Sequence, residues 1–440
     1  MTPFATLFVP AELQDATSGQ AWLAAMLDVE KALARAGALA GVIPADEATA
    51  IAKACSVDAF DWESLLLEGR LAGGPAEPLS RALAANVGEE TARYVHLGAT
   101  SQDVMDSAAM LVSRHALGLV LSELDRVAAA CADLAGRFRD VPMAGRTLLQ
   151  QAVPTTFGLK AAGWLVAVLD ARQRLLDLRE HGLAAQLGGA AGTLAALGEY
   201  GPEIASLYAR ELGLAEPMLP WHTNRVRIAE LGAALDVAAG VLGKVALDVL
   251  LLAQTEVGEV REGGEGGGSS SMPQKRNVVG AVLARAAAEL ARAHASVLTG
   301  TLAQEHERAA GLWQAEWEAL SGVLSTTGGA AASLAGALET LEVDEARMRA
   351  NLELTGGAIA AERIAVILTE RLGRSRARAL VRDAALHAGA TGRQLAEELA
   401  SLDTGLSADE IAAALDPSTY VGAAGELVDR ALARYEAERA

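Results

Sequence analysis

Residues 263–277 read GGEGGGSSSMPQKRN, with five glycines, three serines, one proline and an adjacent Lys-Arg pair. Helix-like apolar sequence flanks the stretch on both sides. Glycine gives a backbone the freedom to move or to approach a ligand closely. The serines, Lys275 and Asn277 then place polar groups at one point of the chain. The following VVGAVLARAAAEL reads as a helix, with Asn277 where an N-cap would stand and a first turn able to receive an anion. Composition alone would also fit a flexible linker. A linker, however, has no use for the order Met-Pro-x-Lys-x-Asn after its serines. The stretch therefore reads as a mobile catalytic loop over an acidic substrate.

Working outward, the chain predicts long helices packed side by side. Leu117, Leu121, Leu124, Ala128, Cys131 and Ala135 alternate steps of four and three, as do Leu231, Leu235, Ala238, Leu242, Val245, Val249 and Leu252. Such stripes mark helices crossing at a shallow angle. A helix over 226–257 would be about 48 Å long, which calls for a bundle. Val241, Leu247, Leu250 and Leu251 fall off the stripe, so that helix needs more than one neighbour, and we expect an oligomer. Ser18 to Ala40 predicts a further helix, Pro44 opens another, and Ala72 to Pro78 reads as a loop. The expected layout is all-α in three segments: an N-terminal, mostly helical domain (1–107), a central long-helix bundle (108–344) carrying the glycine-rich loop, and a small C-terminal helical domain (345–440).

Composition excludes several classes of function. The 440 residues carry a formal charge of −19 and no basic run longer than two residues, so nucleic acid is not expected as a partner. An acidic protein that takes an anionic substrate must use local Arg, Lys and helix N-termini. Cys55 and Cys131 stand far apart and suit a reducing compartment rather than a disulfide framework. No basic start followed by an apolar run marks a secretory signal. The apolar stretch 231–253 contains Asp236, Lys244 and Asp248, so it predicts a buried helix rather than a membrane span. Unpaired histidines and cysteines give no zinc pattern, and no metal is expected. These readings point to a cytoplasmic protein with no membrane partner.

Two other places concentrate polar residues. One is His96-Leu-Gly-Ala-Thr-Ser-Gln-Asp103, where the Thr100 and Ser101 hydroxyls precede a helix expected to begin near Val104. That arrangement suits either an ordinary cap or a carboxylate subsite. The other is GRTLLQQAVPTTFG, residues 145–158.

Together these stretches resemble the fumarase/aspartase superfamily. Gly268 to Asn277 matches its G-S-S-x-M-P-x-K-x-N loop at every fixed letter, Met272 included. The 96–106 stretch resembles H-x-G-x-T-S-x-D-x-x-D, and 145–158 resembles G-R-T-H…A-x-P-x-T-x-G. Val278 stands where many members have a proline that starts the helix. The resemblance implies a three-domain fold whose central bundle forms a tetrameric core, with each site shared among subunits. It implies Ser269 as the acid/base at the α-carbon and Thr100 and Ser101 as ligands of a substrate carboxylate. Lys275 and loop N–H groups would stabilise a serine alkoxide, and Lys275 and Asn277 would bind the carboxylate that gains enolate character. Arg146, His96, His306 and Arg308 are further candidate substrate ligands, although His306 fits a surface or core position equally well. Trp313, Glu316 and Trp317 read as packing. This chemistry calls for no cofactor.

One departure bears on function. Where the superfamily's lyases have histidine after Gly-Arg-Thr, this chain has Leu148, which cannot donate a proton. An amine leaving group needs a general acid; a carboxylate, the conjugate base of an acid with pKa about 4, does not. The stretches LGGAAGTLAALG (187–198), PWHTNRVR (220–227) and QEHERAAGLWQAEWEAL (304–320) resemble the 3-carboxy-cis,cis-muconate cycloisomerase family, whose reaction adds a carboxylate to a double bond. The expected partner is thus a small polycarboxylate. The alternatives are an adenylosuccinate lyase-type enzyme, with His96 as proton donor, and a non-catalytic structural relative.

Overall fold

The computed structural model describes residues 3–264, 267–268 and 271–439. The described chain is all-α apart from two small antiparallel sheets, Pro142–Thr147 with Gln150–Thr156 and Val260–Glu262 with Leu341–Val343. Its longest helices are Ser101–Arg137, Val226–Ala253 and Leu312–Glu339. Both expected stripes are buried along their whole length. The off-stripe residues Val241, Leu247, Leu250 and Leu251 are only half-buried and Val237 is exposed. One side of the second helix is therefore apolar without being covered by its own chain. Ser101–Arg137 is the one helix among the described residues long and apolar enough to cross a membrane, but 72% of its most apolar window is buried. It also buries Gln102, Asp103, Asp106 and Ser107, as a core helix does when those groups have partners.

Some boundaries differ from the sequence reading. The helix from Val226 stops at Ala253, not Val257, because the Val257 and Gly258 amides both turn back to the Gln254 carbonyl. The 72–78 loop is shorter than expected: Ala76–Val87 is already helical, and Pro78 in its first turn gives up no helical N–H bond. The helix after Thr100 starts at Ser101, three residues early. The helix expected over Ser18 to Ala40 runs Gly19–Leu39, and Ser18 caps it by accepting from the Ala21 amide.

The chain separates into two compact units. One comprises Met1–Asp125, Asp170–Lys244 and Leu283–Leu334; the other comprises Arg126–Leu169, Val245–Val282 and Ala335–Ala440. In the first, Gly19–Leu39 packs against Ala45–Ala54 and Gly201–Leu212, over a small core of Ala34, Ile43, Ala48, Ile51 and Leu83. In the second, the C-terminal helices close their own core around Ile364, Leu368, Leu395 and Ile411.

The second unit also holds what the sequence reading did not foresee, a β-hairpin over 142–156. Thr147 pairs with Gln150, so Leu148 and Leu149 alone form the turn. Both have positive φ, 51° and 64°, the sign required by the tight turn that suits strand twist. Leucine lacks glycine's ease there, at a cost of about 1–2 kcal/mol per residue. Both side chains are exposed, Leu148 by 97% and Leu149 by 78%. Replacing the pair by Asn-Gly is expected to raise the stability of the isolated chain by about 1–2 kcal/mol. Chemical denaturation at low protein concentration checks this, and a lower midpoint would mean the leucines are held by contacts rather than strained. At the hairpin's other end, a Cβ at Gly158 would lie 2.5 Å from the Arg139 Cα, so the motif glycine permits close packing on the end of the long helix.

Candidate active site

The expected residues fall into two clusters, one in each unit. In the first unit Thr100 and Ser101 open the helix Ser101–Arg137, and Asp103 organises the turn. Its Oδ2 accepts from the Thr100 amide at 2.9 Å and from the Gly189 amide at 2.9 Å. Its Oδ1 accepts from the Gly188 amide at 3.0 Å and bonds His222 Nε2 at 2.7 Å. An acid three residues into a helix that reaches back to the capping amide is a familiar start signal. Here it also ties in the glycine loop at 188–189 and the buried His222. The Thr100 amide is therefore not free for a ligand. The Thr100 and Ser101 hydroxyls are half-buried and have no hydrogen-bond partner among the described residues.

Arg308 joins the same cluster. Its Nε donates to Gln102 Oε1 at 3.1 Å and its Nη2 to the Ala190 carbonyl at 3.2 Å. Gln102, wholly buried, uses its other end to donate to the His222 carbonyl at 2.8 Å. His306 is exposed at φ 47°, and its carbonyl accepts from the Thr223 hydroxyl. Its imidazole has no recorded bond among the described residues, whereas Arg308 is firmly placed. His96 Nδ1 lies 2.6 Å from Glu30 Oε1. Burial draws the His96 imidazole down, but Glu30 and, further off, Asp103 outweigh this and hold it above its ordinary value.

Behind this cluster lies an ion network. Arg225 binds Asp106 through Nη1 and Nη2, at 2.8 and 3.0 Å, and Glu316 through Nε and the same Nη2. Trp313 Nε1 donates to Asp106, and the Trp221 ring lies under the guanidinium, 4.9 Å from centroid to Cζ. Trp313 and Trp317 meet edge to face. Glu316 and Trp313 are thus engaged by this network, and Trp317 packs against Trp313.

In the second unit the glycine-rich loop is closed at its base. Asn277 donates through its amide and its Nδ2 to the Gly267 carbonyl, at 2.8 and 2.9 Å, and Gly268 bridges to Arg276. Gly267 has φ 69°, and a Cβ there would lie 2.1 Å from the Asn277 carbonyl oxygen; only glycine fits. Asn277 is therefore the clasp of the loop and not the cap of the next helix. That cap is Glu262, whose carboxylate accepts from the Gly280 and Ala281 amides at 3.0 and 2.9 Å. The helix N-terminus expected to hold a substrate anion already holds this carboxylate. Lys275 is exposed and Met272 is 40% exposed. Lys275, Arg276 and Asn277 line a cleft of about 980 Å³ with Gln254, Thr255 and Arg261. Ser269 lies outside the described residues.

Arg146 departs from its expected role. Its guanidinium is bound to both oxygens of the fully buried Glu259, at 2.9 and 2.7 Å. Asn351 completes that carboxylate at 2.8 Å. The charge of Arg146 is thereby balanced within the protein, and the pair anchors the hairpin. Among the described residues no three His, Cys, Asp or Glu side chains come together as a metal site. The Cys131 thiol is pushed up to about 12 by burial alone, so it is inert.

Sequence reasoning missed Glu30, His222 and Glu262 as neighbours of the expected residues. Asp103 stood within the quoted motif but not among the candidates, and its position three residues after Thr100 was a usable signal.

Residues 11–291 match the family described as Lyase, and residues 357–431 match that described as adenylosuccinate lyase C-terminus. A 3-carboxy-cis,cis-muconate cycloisomerase of Pseudomonas aeruginosa is 46% identical, over 99% of this chain and 96% of that protein. A nitrosuccinate lyase of Streptomyces davaonensis is 47% identical, over 96% of this chain and 92% of that one. The crystal structure of the 3-carboxy-cis,cis-muconate lactonizing enzyme of Pseudomonas putida superposes with a TM-score of 0.93, at 41% identity, and covers 100% of both chains.

Proposed function

The chain belongs to the lyase family, and from that premise we propose that it is a 3-carboxy-cis,cis-muconate cycloisomerase that forms 4-carboxymuconolactone in protocatechuate breakdown. The observation that carries the reading is Leu148. It stands where a lyase of a poor leaving group needs a proton donor, at the exposed tip of the hairpin. In the cycloisomerisation a carboxylate oxygen bonds to the β-carbon of an enoate, and the α-carbon takes a proton. No atom is lost. In reverse, the leaving group is a carboxylate, which departs without protonation.

Ser269 gives the α-carbon its proton, and Lys275 stabilises the resulting alkoxide and the enolate-like carboxylate. Thr100, Ser101 and Arg308 hold a second carboxylate, which suits hydroxyls free of other bonds and a guanidinium fixed by Gln102. Asn277 acts by closing the loop. We place the enzyme in the cytoplasm as a homotetramer with shared sites. The uncovered apolar side of Val226–Ala253 and the exposed Leu148 and Leu149 support assembly.

The nitrosuccinate lyase at 47% identity favours a second reading. Elimination from nitrosuccinate would expel nitrite and leave fumarate, and nitrite is also a weak base that leaves unprotonated. The Leu148 argument thus selects a class of leaving group, and the substrate must be tested. Purified protein is assayed in parallel with 3-carboxy-cis,cis-muconate (loss of diene absorbance), nitrosuccinate (nitrite release) and adenylosuccinate (fumarate and AMP). Diene loss well above the other two rates is the expected result. Faster nitrite release would establish the second reading. Turnover of adenylosuccinate alone would mean that a hidden acid replaces the one missing at Leu148.

A further inference from the structure

The first unit contains a buried carboxylate that the proposed chemistry does not use. Glu30 sits mid-helix in Gly19–Leu39 and is 1% exposed. Burial of an ionised carboxylate is costly unless it is paired. Its one hydrogen-bonded partner among the described residues is His96 Nδ1 at 2.6 Å, and its other oxygen, Oε2, is buried without a bond. Lys31 and Asp28 act with opposite signs on the neighbouring Cys55 thiol and are bonded to each other at 2.7 Å. The Tyr208 hydroxyl is fully buried without a hydrogen-bond partner, and the Cys55 thiol is neutral, pushed up to about 12 by burial and then by Glu30 itself. His96 in turn faces two carboxylates, Glu30 from one helix and Asp103 from another.

His96 is also held in an unusual backbone state. Its φ is 58°, a region that a non-glycine residue occupies at a cost and that is found where the surroundings impose it. Its carbonyl accepts from the Ala99 amide, so His96 heads the tight turn over 96–99 that leads into Thr100. With Nδ1 committed to Glu30, the ring orientation is fixed and Nε2 is left without a protein partner among the described residues. A carboxylate that orients one ring nitrogen decides what the other nitrogen can do.

We infer that Glu30 is a positioning residue that holds His96 as an oriented cation, whose Nε2–H donates to a substrate carboxylate at the Thr100–Ser101 turn. The inference rests on the reading of that turn as a carboxylate subsite. It adds a charged donor to two neutral hydroxyls in a chain whose net charge of −19 repels polyanions. It also makes binding in this half of the site pH-dependent. An imidazole held above its ordinary value keeps its proton to higher pH than a free one and loses it as pH rises through the elevated value. Removing the Glu30 charge leaves burial as the larger influence, and the loss of the proton moves to lower pH.

The test uses the full chain with 13C-labelled histidine, its His96 signal assigned by comparison with His96→Gln. Glu30→Gln should move the His96 titration to lower pH, and Glu30→Asp should keep most of the elevation. Calorimetric binding of tricarballylate, an unreactive triacid, provides the functional readout. Compared at pH 7.5 and pH 6, Glu30→Gln should weaken it by up to about tenfold, the scale of one charge-assisted hydrogen bond, and by less at the lower pH. A His96 titration unchanged in Glu30→Gln would overturn the inference. So would a shifted titration with tricarballylate affinity unchanged at both pH values, since the pair would then serve only the fold. The double variant Thr100→Ala/Ser101→Ala separates the two levels. If it leaves affinity unchanged, the subsite reading fails; if it weakens binding while Glu30→Gln does not, only the role of Glu30 fails.

Discussion

Ser269→Ala is expected to lower kcat by about 10²- to 10⁴-fold, the usual worth of a positioned proton-transfer group. KM should change by far less, because the serine acts on the α-carbon and the carboxylates are held elsewhere. The thermal midpoint should not move. Lys275→Met is the informative comparison. If Lys275 stabilises the serine alkoxide and the enolate together, its loss should match that of Ser269→Ala, and the double variant should be no worse than either single one, since groups that act as a unit are not additive. Steady-state kinetics of the three variants on the substrate found by the parallel assay checks both points. A Ser269→Ala enzyme that retained more than about a tenth of its turnover would remove Ser269 as the acid/base and return the assignment to the other polar groups of the loop.

Much of the architecture could be read from one-dimensional patterns, for a definite reason. A stripe such as Leu231 to Leu252 has a period that only a helix satisfies, and every member of it is buried. The half-exposed residues beside it carried the expectation of a further neighbour just as directly. The hairpin could not be read in this way. GRTLLQQAVPTT lacks the Asn-Gly or Asp-Gly that usually announces a two-residue turn, and Leu148-Leu149 offers the opposite signal. What folds it is tertiary: Arg146 bound to Glu259, more than a hundred residues away, and Gln151 bonded to the Asn351 carbonyl.

The site was legible in kind and less so in role. The residues proposed to contact a ligand, Thr100, Ser101 and Lys275, stand in short motifs. Residues that hold them come from distant segments. Asp103 meets His222 and the 188–189 amides, and Gln102 meets Arg308. No spacing in the sequence reveals such partners. The same blindness misassigned charge. Arg146 and the helix after Asn277 both looked free for an anion, yet each already has a carboxylate from the protein, Glu259 and Glu262.

Arg225→Met is expected to destabilise the chain by about 3–5 kcal/mol, the cost of leaving buried charge uncompensated. Arg225 is 1% exposed and answers two carboxylates at once, Asp106 and Glu316. Even with Arg225 present, burial raises the Glu316 carboxyl above its ordinary value, against the pull of the guanidinium. Without Arg225 that elevation must grow, and Glu316 should take up a proton in the folded state. A carboxyl whose folded value is raised contributes its stability in full below the unfolded value and loses it as pH rises through the folded one. The variant should therefore be closest to the parent at acid pH and fall furthest behind above neutrality. Urea denaturation at pH 5.5 and pH 8 measures this directly. The triple variant Arg225→Met/Asp106→Asn/Glu316→Gln removes all three charges and should recover much of the loss, since a neutral buried cluster is often as stable as the ion network it replaces. A single variant less than about 1 kcal/mol below the parent, equally at both pH values, would mean that water reaches the network and that Arg225 is not what compensates these carboxylates.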